Sequence, residues 1–103
     1  MKRVYIAGPY SSDPEKNTEE AIFMGDWVRA LGYSVYIPHL THFWHKQIPH
    51  EYKFWMEHDF EWLEVCDILL RLPGASSGAD AEEAFAKERG ISVVYTAQEL
   101  YGK

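Results

Sequence analysis

The stretch Asp67-Ile-Leu-Leu-Arg-Leu-Pro-Gly-Ala-Ser-Ser-Gly-Ala-Asp-Ala-Glu82-Glu-Ala-Phe-Ala86 decides the fold. It opens as an apolar run of strand length, breaks at Pro73-Gly74 and a series of small residues, and resumes as an alanine-rich acidic segment with helical character. A buried strand that passes through a small-residue loop into a helix is half of a β-α-β unit. The same alternation continues on both sides of this stretch, which is the pattern of an α/β protein with a parallel sheet.

Upstream, residues 3–7 form a short apolar run stopped by Gly8-Pro9, a strand buried on both faces. Asp13-Pro14-Glu15 reads as an N-cap, a proline at the first helical position and an acidic first turn. Ala21, Ile22, Trp27, Val28 and Leu31 follow at roughly helical spacing, and Gly32 is placed to end that helix. Residues 33–37 are β-rich and closed by Pro38. Residues 38–50 show no clear period and read either as a long functional loop or as a short helix. Helical spacing returns over residues 51–66. Downstream of the opening stretch, which places a strand at 67–72 and a helix at 77–89, Gly90 ends the helix and residues 91–95 form a fourth strand. With right-handed crossovers, these elements predict a small doubly wound parallel sheet of flavodoxin or Rossmann type, in the order 2-1-3-4, with helices on both faces.

The chain has 103 residues, and residues 1–103 are read as a single domain. Its composition, 47% hydrophobic and 25% charged, is that of a folded globular protein rather than a disordered one. A net charge of -6 argues against binding a nucleic acid polymer, which calls for a basic face. A single phosphate could still be held by loop amides at a helix start. Cys66 is the only cysteine, so no internal disulfide forms and a reducing compartment is the simpler reading. The apolar runs are too short to span a membrane, and the N-terminal one is too short for a signal peptide, so a soluble cytoplasmic protein is expected.

Ligands of open α/β sheets bind outside the carboxyl ends of the strands, where the order reverses. Glu82, one turn inside its helix at such a strand end, is therefore a candidate nucleophile or general base; the competing reading is a helix-dipole residue. Taking Ser77 as the N-cap makes Asp80 its capping-box partner, which leaves Glu82 without a capping role, and the positive helix end should keep its carboxylate ionised. Tyr52, Trp55, Asp59, Trp62 and Cys66 are spaced for one helix face, so Asp59 is a carboxylate inside an apolar stripe. In a partly desolvated cleft it would hold a proton more tightly, which suits proton transfer; otherwise it sits at the stripe's edge with a backbone amide or an arginine. Tyr5 reads first as a good β-former. Gly8 and Pro9 at the end of the first strand, and Ser76, Ser77 and Gly78 at the helix start, offer amides and hydroxyls to a phosphate or sugar, or serve as simple caps. His39, His42 and His45 are three apart without the cysteine or carboxylate partners of a zinc site, so no metal is assigned. No GxGxxG or Walker loop is present, and no cofactor is expected. Trp44, Trp55 and Trp62 are expected in the core more than in a pocket.

Taken together, these segments resemble the nucleoside 2-deoxyribosyltransferase superfamily, which includes 2'-deoxynucleoside 5'-monophosphate N-glycosidases and small phage-associated relatives. Val4-Tyr5-Ile6-Ala7-Gly8 is similar to that family's first strand, whose tyrosine hydrogen-bonds the catalytic carboxylate. Asp59-Phe-Glu-Trp-Leu-Glu-Val-Cys-Asp67 is similar to the segment whose first aspartate contacts the sugar and assists catalysis. Gly78-Ala-Asp-Ala-Glu82-Glu-Ala-Phe-Ala86 resembles the motif that carries the nucleophile. Pro9 and Glu83-Ala84 depart from the family pattern. The resemblance implies Glu82 as nucleophile, Tyr5 and Asp59 as its catalytic partners, and Ser76 as a substrate contact. It also implies a small nucleoside or nucleotide substrate and a homo-oligomer.

Overall fold

The computed structural model describes residues 1–101. Four strands, β1 (Arg3–Ala7), β2 (Ser34–Tyr36), β3 (Ile68–Arg71) and β4 (Ser92–Val94), form one sheet in the order β2-β1-β3-β4. Every pairing is parallel, with Tyr5 opposite Tyr36 on one side and Leu69 on the other. Four α-helices connect and cover them: α1 (Pro14–Ala30), α2 (Thr41–Gln47), α3 (Tyr52–Leu63) and α4 (Ser77–Glu88). The expected fold class and strand order are those observed, with strand and helix ends differing by up to three residues.

Because successive side chains of a strand point to opposite faces, β1 divides its residues between two cores. Val4 and Ile6 join Ala21, Val28, Ile68, Leu70 and Leu100 on the α1 side. Tyr5 and Ala7 join Leu63, Leu69, Ala79 and Ala86 on the side covered by α3 and α4. Both clusters are almost fully buried, which a central parallel strand requires.

Asp13 caps α1 as expected, its carboxylate accepting from the backbone N–H of Lys16. The buried face of α1 differs from the expected one. Thr18, Ala21, Gly25 and Val28 are buried, whereas Ile22 and Trp27 are exposed. Gly25 contributes to this: a Cβ there would fall 2.4 Å from Ile37 Cδ1, so the absent side chain leaves the room that the Ile37 side chain occupies against the helix. At the other helix start, Ser76 rather than Ser77 is the N-cap, accepting from Ala79 N–H at 3.1 Å. Asp80 is thus not a capping-box partner and instead pairs with Arg71 at 3.0 Å. The 38–50 segment is mostly helical: a 3-10 turn at Pro38–Leu40 leads directly into α2.

Candidate active site

The chain leaves β1 and β3 toward opposite faces of the sheet where the strand order reverses, and a cavity of about 370 Å3 opens there. The turn after β1 contributes Gly8 and Tyr10, the loop after β3 contributes Ser76, the start of α4 contributes Ser77 and Gly78, and α3 and α4 contribute Asp59 and Glu82. A tight turn shapes that loop. Gly74 has φ +114, and a Cβ on it would lie 2.8 Å from Pro9 Cγ, so glycine holds the β1 and β3 loops together.

Tyr5 lies beneath the cavity, fully buried in β1, and its O–H donates to Glu82 Oε2. Glu82 itself is 6% exposed and Asp59 8% exposed, so two carboxyl groups share a largely desolvated site. Burial pushes the Asp59 carboxyl up to about 8, with the Glu82 charge adding to the effect. Burial likewise raises Glu82 to about 7, against the opposing pull of the Tyr5 hydrogen bond and the Arg71 charge. Burial thus opposes the expected effect of the positive helix end, which was to keep Glu82 ionised. Asp59 Oδ1 is buried with no hydrogen-bond partner among the described residues. Unpaired buried carboxyl oxygens are costly, and this one belongs to a residue that lines the cavity.

Below this pair, Tyr5, Tyr36 and Trp62 stack as a column with centroid spacings of 5.6 Å. The hydroxyl of Tyr36 lies 3.3 Å from His58 Nε2. Burial, with the nearby Asp59 charge, keeps both tyrosine hydroxyls protonated by raising them well above the ordinary value. They are thus held as donors. Tyr36 escaped sequence reasoning because a tyrosine at the end of a strand is common; only the stacking marks it.

The histidines are separated by their partners. His39 Nε2 lies 2.9 Å from the Pro9 carbonyl, His42 bridges Tyr10 and Glu15, and His45 Nδ1 accepts from the Trp55 indole N–H at 2.8 Å. Among the described residues, no group of three or more His, Cys, Asp or Glu could hold a metal ion. Pro9 does not line this cavity but a hollow beside α1, so of the expected substrate-binding residues Gly8, Ser76, Ser77 and Gly78 line it. Of the tryptophans expected in the core, Trp44 and Trp62 are more than 40% exposed and Trp55 lines the cavity. None is a core residue. Among the described residues, no lysine or arginine lines the cavity, and no helix is long and apolar enough to cross a membrane.

A 2-desoxiribosyltransferase from Leishmania mexicana is similar in structure, with a TM-score of 0.70 and 17% identity over 92% of this chain. The chain spans 63% of that protein's length. The 2-deoxyribosyltransferase of the psychrotolerant bacterium Bacillus psychrosaccharolyticus superposes with a TM-score of 0.65 and 21% identity, over 88% of this chain and 69% of the other. Comparison with curated proteins finds no match. The α/β fold expected from the sequence is thus the one shared with 2-deoxyribosyltransferases, and by the match over residues 2–95 the chain belongs to the family described as Domain of unknown function (DUF4406).

Proposed function

We propose that the protein cleaves or transfers the N-glycosidic bond of 2'-deoxyribonucleosides or their 5'-monophosphates, using Glu82 as nucleophile. One observation carries this reading: the Glu82 carboxyl, held by the Tyr5 hydroxyl, and the buried Asp59 carboxyl both line one cavity at the sheet's switch point. The cavity volume of about 370 Å3 falls within the roughly 300–1,000 Å3 of small-molecule sites. The fold shared with the two 2-deoxyribosyltransferases supports the same reaction class.

In this mechanism ionised Glu82 attacks C1' of the sugar. The C1'–N bond breaks, its electron pair goes to the base, and a deoxyribosyl ester forms on Glu82. Asp59, whose carboxyl titrates near 8, binds the sugar hydroxyl and holds a proton that can be given to the leaving base. Water, or the nitrogen of a second base, then attacks C1' and releases the carboxylate, so two inversions give net retention. Water yields a hydrolase and a second base yields a transferase. Tyr5 orients Glu82 and stabilises its charged form through the hydroxyl that donates to it.

Gly8, Ser76, Ser77 and Gly78 would hold the sugar end of the substrate, and the amides at the start of α4 are the place for a 5'-phosphate. Pro9 contributes through its carbonyl, which fixes His39. A homo-oligomer belongs to this proposal, with Phe23 and Trp27 on α1 and Phe43, Trp44 and Phe54 on α2 and α3 as exposed apolar surface available to a second copy. The decisive experiment is a chromatographic assay of wild type and Glu82→Ala with deoxynucleosides and their monophosphates, each with and without an acceptor base. Free base from wild type alone supports the mechanism; undiminished activity in Glu82→Ala overturns it.

A further inference from the structure

Glu15, His42 and Tyr10 form a chain of hydrogen bonds for which the chemistry above has no use. Glu15, in the first turn of α1, places Oε1 2.9 Å from His42 Nε2, and the Tyr10 hydroxyl lies 2.6 Å from His42 Nδ1. His42 is buried, Tyr10 is half-buried, and both line the cavity. The three come from different segments, since Tyr10 follows β1, Glu15 opens α1 and His42 belongs to α2. Their junction is a product of tertiary structure.

The chain has a defined polarity. An ionised carboxylate can only accept, and the hydrogen bond from His42 holds Glu15 below the usual carboxylate range, with Lys46 adding to the effect. His42 Nε2 therefore carries a proton. With that ring proton on Nε2, Nδ1 of this tautomer is the lone pair that accepts the Tyr10 O–H. The proton of the Tyr10 phenol is committed to His42, and its oxygen keeps lone pairs for a ligand in the cavity. His45 holds the same tautomer, with its acceptor nitrogen turned to the protein. Its Nδ1 accepts from the Trp55 indole at 2.8 Å and from the His50 backbone N–H at 3.2 Å, so its Nε2 carries the proton and can donate. His45 lines the same cavity.

We propose that Tyr10, oriented by His42 and Glu15, selects a nucleobase bearing an exocyclic amino group over its oxo counterpart. This inference rests on the deoxynucleoside reading given above and names its substrate class. An amino group donates to the Tyr10 oxygen, while the adjacent ring nitrogen of adenine or cytosine is the kind of acceptor that His45 Nε2–H suits. A carbonyl oxygen in the same place would set lone pairs against lone pairs. Tyr10 could turn its proton toward that carbonyl only by leaving the buried Nδ1 of His42 without a partner. Discrimination through an unsatisfied polar group is stronger than discrimination by size, which is why a committed proton is an effective selector.

The test is isothermal titration of the Glu82→Ala variant with two matched pairs, 2'-deoxyadenosine against 2'-deoxyinosine and 2'-deoxycytidine against 2'-deoxyuridine, alongside turnover of the same nucleosides by wild type. The amino member of a pair should bind about tenfold more tightly, the effect of one hydrogen bond made rather than opposed. Adding Tyr10→Phe should narrow that ratio to within about threefold, chiefly by weakening the amino member. Glu15→Gln, a change at an exposed side chain, should narrow it partly and serves as the second variant if Tyr10→Phe disturbs folding. Equal binding within both pairs, or a ratio that survives Tyr10→Phe in a folded protein, overturns the inference while wild-type turnover leaves the enzymatic reading intact. No binding of any nucleoside, together with no turnover, overturns both.

Discussion

The two faces of the sheet use the same strands for opposite purposes. Along β1, Val4 and Ile6 enter an apolar core under α1, while one residue between them, Tyr5, enters the face covered by α3 and α4 and reaches Glu82. Apart from the hydroxyls of Thr18 and Tyr33, the α1 face takes in apolar groups such as Ala21 and Val28, and its buried surface stabilises the fold. The opposite face buries Asp59 and Glu82, two groups that desolvation disfavours in their charged form. Packing on one face supplies the stability that lets the other hold a strained electrostatic arrangement, as is common where sites trade stability for chemistry.

Substitutions should separate the faces. The largest effect is expected from Glu82→Ala, with base release falling by about 10^4-fold or more in the chromatographic assay and little change in melting temperature. Ile6→Ala, on the other face, should do the reverse, costing about 2–5 kcal/mol in chemical denaturation while leaving the chemistry of the folded fraction unaltered. A loss of stability in Glu82→Ala as large as that in Ile6→Ala would erase the distinction.

The dependence on pH sharpens it. In the folded protein Glu82 and Asp59 hold their protons to about 7 and 8, against ordinary values of 4.5 and 3.8. Between those limits the folded state binds more protons than the unfolded one. Stability contributed by the protonated pair is therefore present at the acidic end of the window and lost as pH rises through 7 and 8. Melting temperatures measured from acid to mildly alkaline pH should fall across it. The double substitution Glu82→Gln and Asp59→Asn should flatten the curve, whereas Ile6→Ala should lower it without changing its shape.

A smaller effect is expected from Tyr5→Phe, which removes the hydrogen bond that favours ionised Glu82. We expect kcat to fall about 10- to 100-fold and the acidic limb of kcat/KM to move to higher pH. An unmoved limb would mean that Tyr5 is only a packing residue on its face of the sheet. Least of all should change in Ser76→Ala. Loss of the α4 N-cap costs about 1 kcal/mol, and KM should rise more than kcat falls if the serine also meets the substrate.

The sheet was legible before the structure because its signals are local. Four short apolar runs, each closed by Pro, Gly or polar residues, recur with helices between them, and chirality then leaves few topologies. Glu82 was legible for the same reason: a carboxylate one turn into the helix after β3 lies near the crevice in any parallel sheet of this order. Asp59 stood out as a charge inside an apolar stripe. The α1 face was misread because apolar spacing alone cannot show that Gly25, with no side chain, is the residue pressed against Ile37. Residues 38–50 hid their helices because their aromatic residues and histidines face neighbours on several sides rather than one apolar core. The tryptophans were misplaced because large rings also cover pockets and surfaces.

By itself the sequence determined the fold class, the strand order and the position of a carboxylate at the mouth of the sheet, because period, turn residues and handedness act over a few neighbouring residues. The meeting of Tyr5 and Glu82 across 77 positions of chain was expected only through the family resemblance, and only the tertiary structure decided that both carboxyls are buried and that Glu15, His42 and Tyr10 share one chain of hydrogen bonds. Proton affinity and hydrogen-bond polarity depend on the dielectric and the partners around a group. Those exist only once distant segments are packed together.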